Sequence, residues 1–183
     1  MKPVLMIHEV AERMFDLPLH EYVLTFDDGL YTQYVHLDKI RNINTDKIFF
    51  INTGIVATEQ TEQSDEYIEC RVAHDKLFKN GDLSHYMNWS QIQEIAKDPQ
   101  CEIGAHSHMH IKHTGFTTIK DTKLMMEHFR SNGMVPTSFC FPYNDDNEVY
   151  RCLLKQYGFT KFYGKDRVAV SYTHLTLPTI YSV

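Results

Sequence analysis

Tyr22-Val23-Leu24-Thr25-Phe26-Asp27-Asp28-Gly29 is the stretch from which the rest of the chain is read. Its apolar half, rich in β-branched and aromatic residues, has the character of a buried strand that stops at two adjacent carboxylates and a glycine. A strand cannot bury two unpartnered aspartates without a penalty of several kcal/mol or more. The pair must therefore sit at the strand's mouth, facing water, a cation or each other. In α/β folds that is where the chemistry is placed.

Outward from this stretch, residues 30–43 have a helical period through Leu30, Tyr34, Leu37 and Ile40. Lys47–Ile51 is a near-continuous apolar run, as expected of a parallel strand covered on both faces. Further strands are expected over 101–105, 138–141 and 159–163, alternating with helices over 91–97, 119–132 and 147–157. Residues 4–7 read as a short first strand or a barrel-closing segment. Ser90 with Gln93 matches a capping box opening the 91–97 helix. Residues 58–88 break the pattern and read as an insertion with a short helix near 73–78, forming either a cleft wall or a solvated loop. The alternation predicts an α/β domain with a mainly parallel sheet over residues 1–167.

The bulk properties exclude more than they assign. A net charge of −6 and a pI near 6.0 weigh against nucleic acid as a partner. The four cysteines lack C-x-x-C spacing, so reduced thiols are expected rather than a zinc ribbon. The amino-terminal apolar run is too short for a signal peptide, and no window suits a membrane span. A cytoplasmic location is the expectation. Residues 168–183 contain no Asp, Glu, Lys or Arg. Within them Ser171 to Thr179 reads like adaptor sequence translated as coding, so this tail is expected to be non-native.

The strand ending at Ala105 runs into His106-Ser107-His108-Met109-His110. In a parallel sheet its mouth lies on the same edge as Asp27 and Asp28. Two histidines and one carboxylate form a common ligand set for zinc, iron or cobalt with positions left open. An i, i+4 pair would select His106 and His110, and an i, i+2 pair His106 and His108; the spacing alone leaves both open.

Thr25-Phe26-Asp27-Asp28-Gly29 resembles the first motif of the polysaccharide deacetylase superfamily, and His106-Ser107-His108-Met109-His110 resembles its second. Phe139-Cys140-Phe141-Pro142-Tyr143 is similar to the third, and the likeness covers roughly residues 22–163. It implies a distorted (β/α) barrel, mainly parallel and incomplete at its C-terminal side, since about five strands precede the tail. It also implies a metal-dependent hydrolase that removes N-acetyl groups from amino sugars of a polysaccharide or its precursor. Asp28, His106 and His110 would hold the divalent metal, with zinc first and cobalt, iron or nickel as alternatives. Asp27 would be the general base and Ser107 would support the loop. Pro142 and Tyr143 would line the acetyl pocket, with the Tyr143 backbone N–H on the oxyanion. The implied partner is an N-acetylated carbohydrate.

Two departures stand out. Cys140 occupies a position where many relatives carry an arginine paired with the base, so Asp27 is expected to lack that cation. The family's later Leu-x-His motif, which supplies the general acid, has no clear counterpart: His174 follows Tyr172 at two residues and stays unassigned. Alternative readings are therefore hydrolysis of a non-sugar amide or cyclic imide, or a truncated domain that binds metal without turnover.

Overall fold

The computed structural model describes residues 2–112 and 114–169. Among them seven strands form one sheet: β1 (Val4–Ile7), β2 (Val23–Phe26), β3 (Lys47–Ile51), β4 (Cys101–Ala105), β5 (Ser138–Cys140), β6 (Lys161–Tyr163) and β7 (Val168–Ala169). Their order is β6-β5-β4-β3-β2-β1-β7, and every pairing is parallel. Ile7 lies beside Phe26 and Phe26 beside Phe49, so the strand mouths share one edge.

Chain length requires this sheet to curl. β6 and β7 occupy opposite edges, yet only residues 164–167 separate them. Five residue steps reach at most about 18 Å. Seven strands laid flat at about 4.8 Å spacing would hold those edges about 29 Å apart. The sheet accordingly forms an open, strongly curled half-barrel whose seam lies between β6 and β7, at the C-terminal side. The strand count exceeds the expected five because β1 is a full member and Val168–Ala169, the first residues of the supposed tail, pair with Leu5 and Met6. The remainder of the tail lies outside the described residues.

Helices α1 (Tyr31–Val35), α2 (Leu37–Arg41), α3 (Cys70–Asn80), α4 (Trp89–Ile95), α5 (Phe116–Ser131) and α6 (Glu148–Gln156) complete the domain. The helix expected over 30–43 is divided at His36, whose ψ of 13° leaves the helical region. The cap of α4 is also corrected. Asn88, not Ser90, closes the capping box with Gln91, because Asn-x-x-Gln offers the same reciprocal hydrogen bonds two residues earlier. Ser90 Oγ instead donates to Glu59. In the insertion, α3 runs longer than expected and ends at Gly81, whose φ of 71° is a left-handed cap. None of the described helices is long and apolar enough to cross a membrane, and all four cysteines are free thiols.

Side-chain alternation along β3 separates two cores. Phe49 and Ile51 join the helix residues Leu37, Ile40, Ile92, Ile95, Met125 and Phe129 in the main core. Ile48 and Phe50 point the other way, into the curl, against Cys140 and Tyr163. Gly104, paired with Phe50 in register, makes room for that ring. A Cβ there would lie 2.5 Å from two carbons of the Phe50 ring and 3.2 Å from Ile48 Cγ2. Since the Phe50 ring sits 6.5 Å from that of His106, this packing also supports the strand mouth. Gly104→Val should lower stability by about 1–3 kcal/mol through overpacking, read as a fall in the urea midpoint. An unchanged midpoint would show that the ring is free to move aside.

Candidate active site

The sheet edge gathers three loops, and the backbone there is unusual. Among the described residues, the non-glycine residues with positive φ are Asp28, Ser107, His110, Tyr143 and Asn144, all in the loops after β2, β4 and β5. Left-handed conformations cost energy for side chains with a Cβ and concentrate where geometry is imposed by function. At Asp28 (φ 69°) and Gly29 (φ 66°) the chain turns sharply. This reversal lets two adjacent carboxylates, each about 1% exposed, serve different partners.

Asp28 Oδ1 faces His106 Nε2 and His110 Nε2 at 3.4 Å each. The three ligand atoms lie within 4.8 Å of one another. His108 is turned away: its Nδ1 meets Thr53 Oγ1 at 2.9 Å and its ring packs on His128. The left-handed turn at Ser107 (φ 65°) interrupts strand alternation, so the i, i+4 pair converges rather than the i, i+2 pair. Asp121 of α5 holds the loop by accepting from the backbone N–H of His108 and Met109, at 2.8 and 2.9 Å. Asn52 donates to the His106 carbonyl.

These residues fit a divalent cation. Asp28 Oδ1 is buried and has no hydrogen-bond partner. His106 Nδ1 donates to the Cys140 carbonyl at 2.8 Å, which orients the ring and turns Nε2 toward Asp28 Oδ1. Burial pushes His110 down to about 4 despite the opposing charge of Asp28, so its imidazole is neutral near pH 7. Burial raises the Asp28 carboxyl, but the facing imidazoles, His106 first, outweigh this and hold it well below its ordinary value. Edges of 3.4 Å match a tetrahedron with metal–ligand bonds of about 2.1 Å.

Asp27 has separate company. Arg167, in the short strap between β6 and β7, places Nη1 2.8 Å from Asp27 Oδ1 and 3.0 Å from Thr25 Oγ1. Its Nη2 lies 3.0 Å from Cys140 Sγ. The expectation that Asp27 lacks a cation is therefore corrected: the guanidinium comes from the strap beside β7 instead of from position 140. Burial pushes Asp27 up, but Arg167 and His106 more than offset it, and the net shift is downward.

Other members of the site went unrecognised in the sequence. His8 follows β1 as Asp27 follows β2, and its Nε2 lies 3.9 Å from Asp28 Oδ2. Applying the strand-mouth rule to the first strand would have found it. Gln33 Nε2 ties the two strand ends together, donating to the carbonyls of His8 (2.7 Å) and Asp27 (2.6 Å). From α3, the Cys70 thiol donates to Asp28 Oδ2 at 2.9 Å, and His74 Nε2 lies 3.8 Å from Oδ1. Cys70 and His74 share a face of α3 at i, i+4 spacing. The insertion thus forms a wall of the cleft, which has a volume of about 810 Å³. Tyr143 lines the opposite side, its ring edge-on to His110 at 4.6 Å, while Pro142 is buried behind it. Ser107 is fully buried in the loop.

Residues 17–162 match the sequence model of the polysaccharide deacetylase family, and the chain belongs to that family. Its structure is similar to that of IcaB from Ammonifex degensii (17% identity, TM-score 0.67, covering 94% of this chain and 93% of that one). A de-N-acetylase from Aggregatibacter actinomycetemcomitans is also similar (17% identity, TM-score 0.66, 91% and 92% covered). So is the BpsB deacetylase domain from Bordetella bronchiseptica (14% identity, TM-score 0.63, 89% and 88% covered). At these identities the likeness is one of fold. No curated protein matches the sequence. His8 and Arg167 both fall outside the matched residues.

The Asp27–Arg167 pair is buried, with side chains 2% and 4% exposed. Removing one partner of such a pair costs about 3–5 kcal/mol, and Arg167→Ala should lose that much at neutral pH in urea unfolding. Because the folded-state Asp27 lies below its unfolded value, the pair's contribution is complete above about pH 4 and is lost as pH falls further. In Arg167→Ala the unpaired carboxyl takes up a proton more readily, so the deficit should shrink between pH 7 and pH 4. A deficit independent of pH would mean that Arg167 stabilises by packing alone.

Proposed function

We propose that this protein is a metal-dependent N-deacetylase acting on amino sugars of a polysaccharide or its precursor. The observation that carries the reading is Asp28 Oδ1, buried and unpartnered between two histidine Nε2 atoms, beside a second carboxylate held by a different partner. Asp28, His106 and His110 are the residues that would hold the cation, zinc first. When bound, such an ion polarises the amide carbonyl and acidifies a water.

The chain's own groups divide the proton work. Asp27, kept ionised by Arg167, accepts the proton of the attacking water at its carboxylate. His8 is placed to deliver a proton to the departing amine nitrogen: it stands at the cleft mouth, one-third exposed, on the Oδ2 side of Asp28. This assignment supplies the acid that the sequence left without a candidate. It also favours an active enzyme over a metal-binding but inactive domain. Tyr143, in its left-handed turn, presents backbone and ring to the acetyl end of the substrate. The products are acetate and a free amine on the sugar.

The test is acetate release from N-acetylglucosamine oligosaccharides by zinc-loaded protein. Asp27→Asn should lower kcat by roughly 10²–10⁴, the usual contribution of a general base, while retaining the metal. His8→Ala should slow amide cleavage similarly, yet spare an aryl acetate ester whose leaving group needs no proton. Asp28→Asn should lose the metal itself. A metal-loaded protein that releases no acetate from any N-acetylated glycan would overturn the reading.

A further inference from the structure

Three groups of side chains among the described residues bring ligand atoms within 4.8 Å of one another. The first, Asp28 with His106 and His110, is the centre described above. The second joins Asp27, His106 and Cys140, but the Arg167 guanidinium contacts both Asp27 (2.8 Å) and Cys140 (3.0 Å), and its fixed positive charge excludes a cation. The third is His8, Asp28 and Cys70, brought together from the β1 mouth, the β2 mouth and the first residue of α3. It uses the opposite oxygen of Asp28.

We propose that Asp28 is a two-sided ligand. Oδ1 serves the His106–His110 centre, while Oδ2 with Cys70 Sγ and His8 Nε2 forms a second position for a thiophilic divalent cation such as Zn²⁺, Co²⁺ or Cd²⁺. One thiolate, one imidazole and one carboxylate are all good donors to such ions, with a position left for water. Cys70 Sγ and His8 Nε2 lie 2.9 and 3.9 Å from Oδ2. Around a tetrahedral zinc ion these edges would be about 3.5 and 3.3 Å, so each atom moves by roughly half an ångström. Glu9 Oε2 accepts from the Cys70 backbone N–H at 3.2 Å, docking the start of α3 beside the residue that follows His8. The cleft gives access from solvent, and His8 is one-third exposed.

Filling this position has a defined cost in protons and in function. The Cys70 thiol proton is released to solvent and the sulfur lone pair goes to the ion. The His8 Nε2 lone pair is likewise taken, so His8 can no longer carry a proton to a leaving amine. The second ion is therefore an inhibitor, and the insertion helix that carries Cys70 makes the site sensitive to metal excess. The inhibitory consequence rests on the deacetylase reading; the binding site does not.

The experiment is a Co²⁺ titration of metal-free protein in a Cys152→Ser background, which removes the exposed thiol. The first equivalent should bind without a sulfur-to-cobalt charge-transfer band, and the second should bring that band. Even losses outside the ligand shell weaken metal binding roughly 10–100-fold, so Cys70→Ser and Cys70→Ala should weaken the second ion at least that much and abolish the band, leaving the first equivalent in place. His110→Ala should do the reverse, losing the first ion and keeping the band. Acetate release should peak at one equivalent and fall with the second, and each Cys70 variant should lose this fall relative to its own one-equivalent rate. Absence of the band, its persistence in both Cys70 variants, its loss only in Cys140→Ser, or its appearance with the first equivalent would each overturn the proposal. Failure of the deacetylase reading would show separately, as metal binding without acetate release.

Discussion

Two adjacent buried carboxylates cannot share one environment. Side by side at a strand mouth, Asp27 and Asp28 would repel each other and pay the full cost of desolvation. The protein resolves this by turning the backbone left-handed at Asp28 and Gly29, which sends the two side chains to different partners. Asp27 meets a guanidinium; Asp28 meets imidazoles on one oxygen and a thiol on the other. The division of roles between a base and a metal ligand follows from that separation.

Supplying those partners requires the sheet to curl. In a flat seven-stranded sheet a four-residue strap could not join β6 to β7. Because the sheet closes most of a barrel, that strap spans the seam, and Arg167 at its end meets Asp27 from beside β7, two strands from β2. The same curl forces large side chains into the concave face, where the glycine at 104 accommodates Phe50 and steadies His106. Fold closure and site electrostatics thus depend on one another.

The insertion adds a third level. Its helix α3 docks through Cys70 and Glu9, and its i, i+4 pair of Cys70 and His74 faces Asp28. A segment that reads in sequence as a polar interruption therefore completes the cleft wall and places two further donors beside the metal-ligand carboxylate.

The alternation of apolar runs with helical periods was enough to establish a parallel α/β sheet, and the strand-mouth positions of Asp27, Asp28 and the 106–110 histidines were legible because strand periodicity places such residues on one edge. Local pattern also located α3, α5 and α6 to within a few residues, although the cap of α4 went to Asn88 because two capping boxes of equal chemistry overlapped. Spacing alone could not choose between His108 and His110, and only the family resemblance pointed to His110, since the choice turns on the φ of Ser107. Nor could it find Arg167, 140 residues from Asp27, or Cys70, 42 residues from Asp28. Pattern along the chain reports which face a residue lies on. Which groups meet across a curled sheet is decided only when the strands close and burial forces each charge to find a partner.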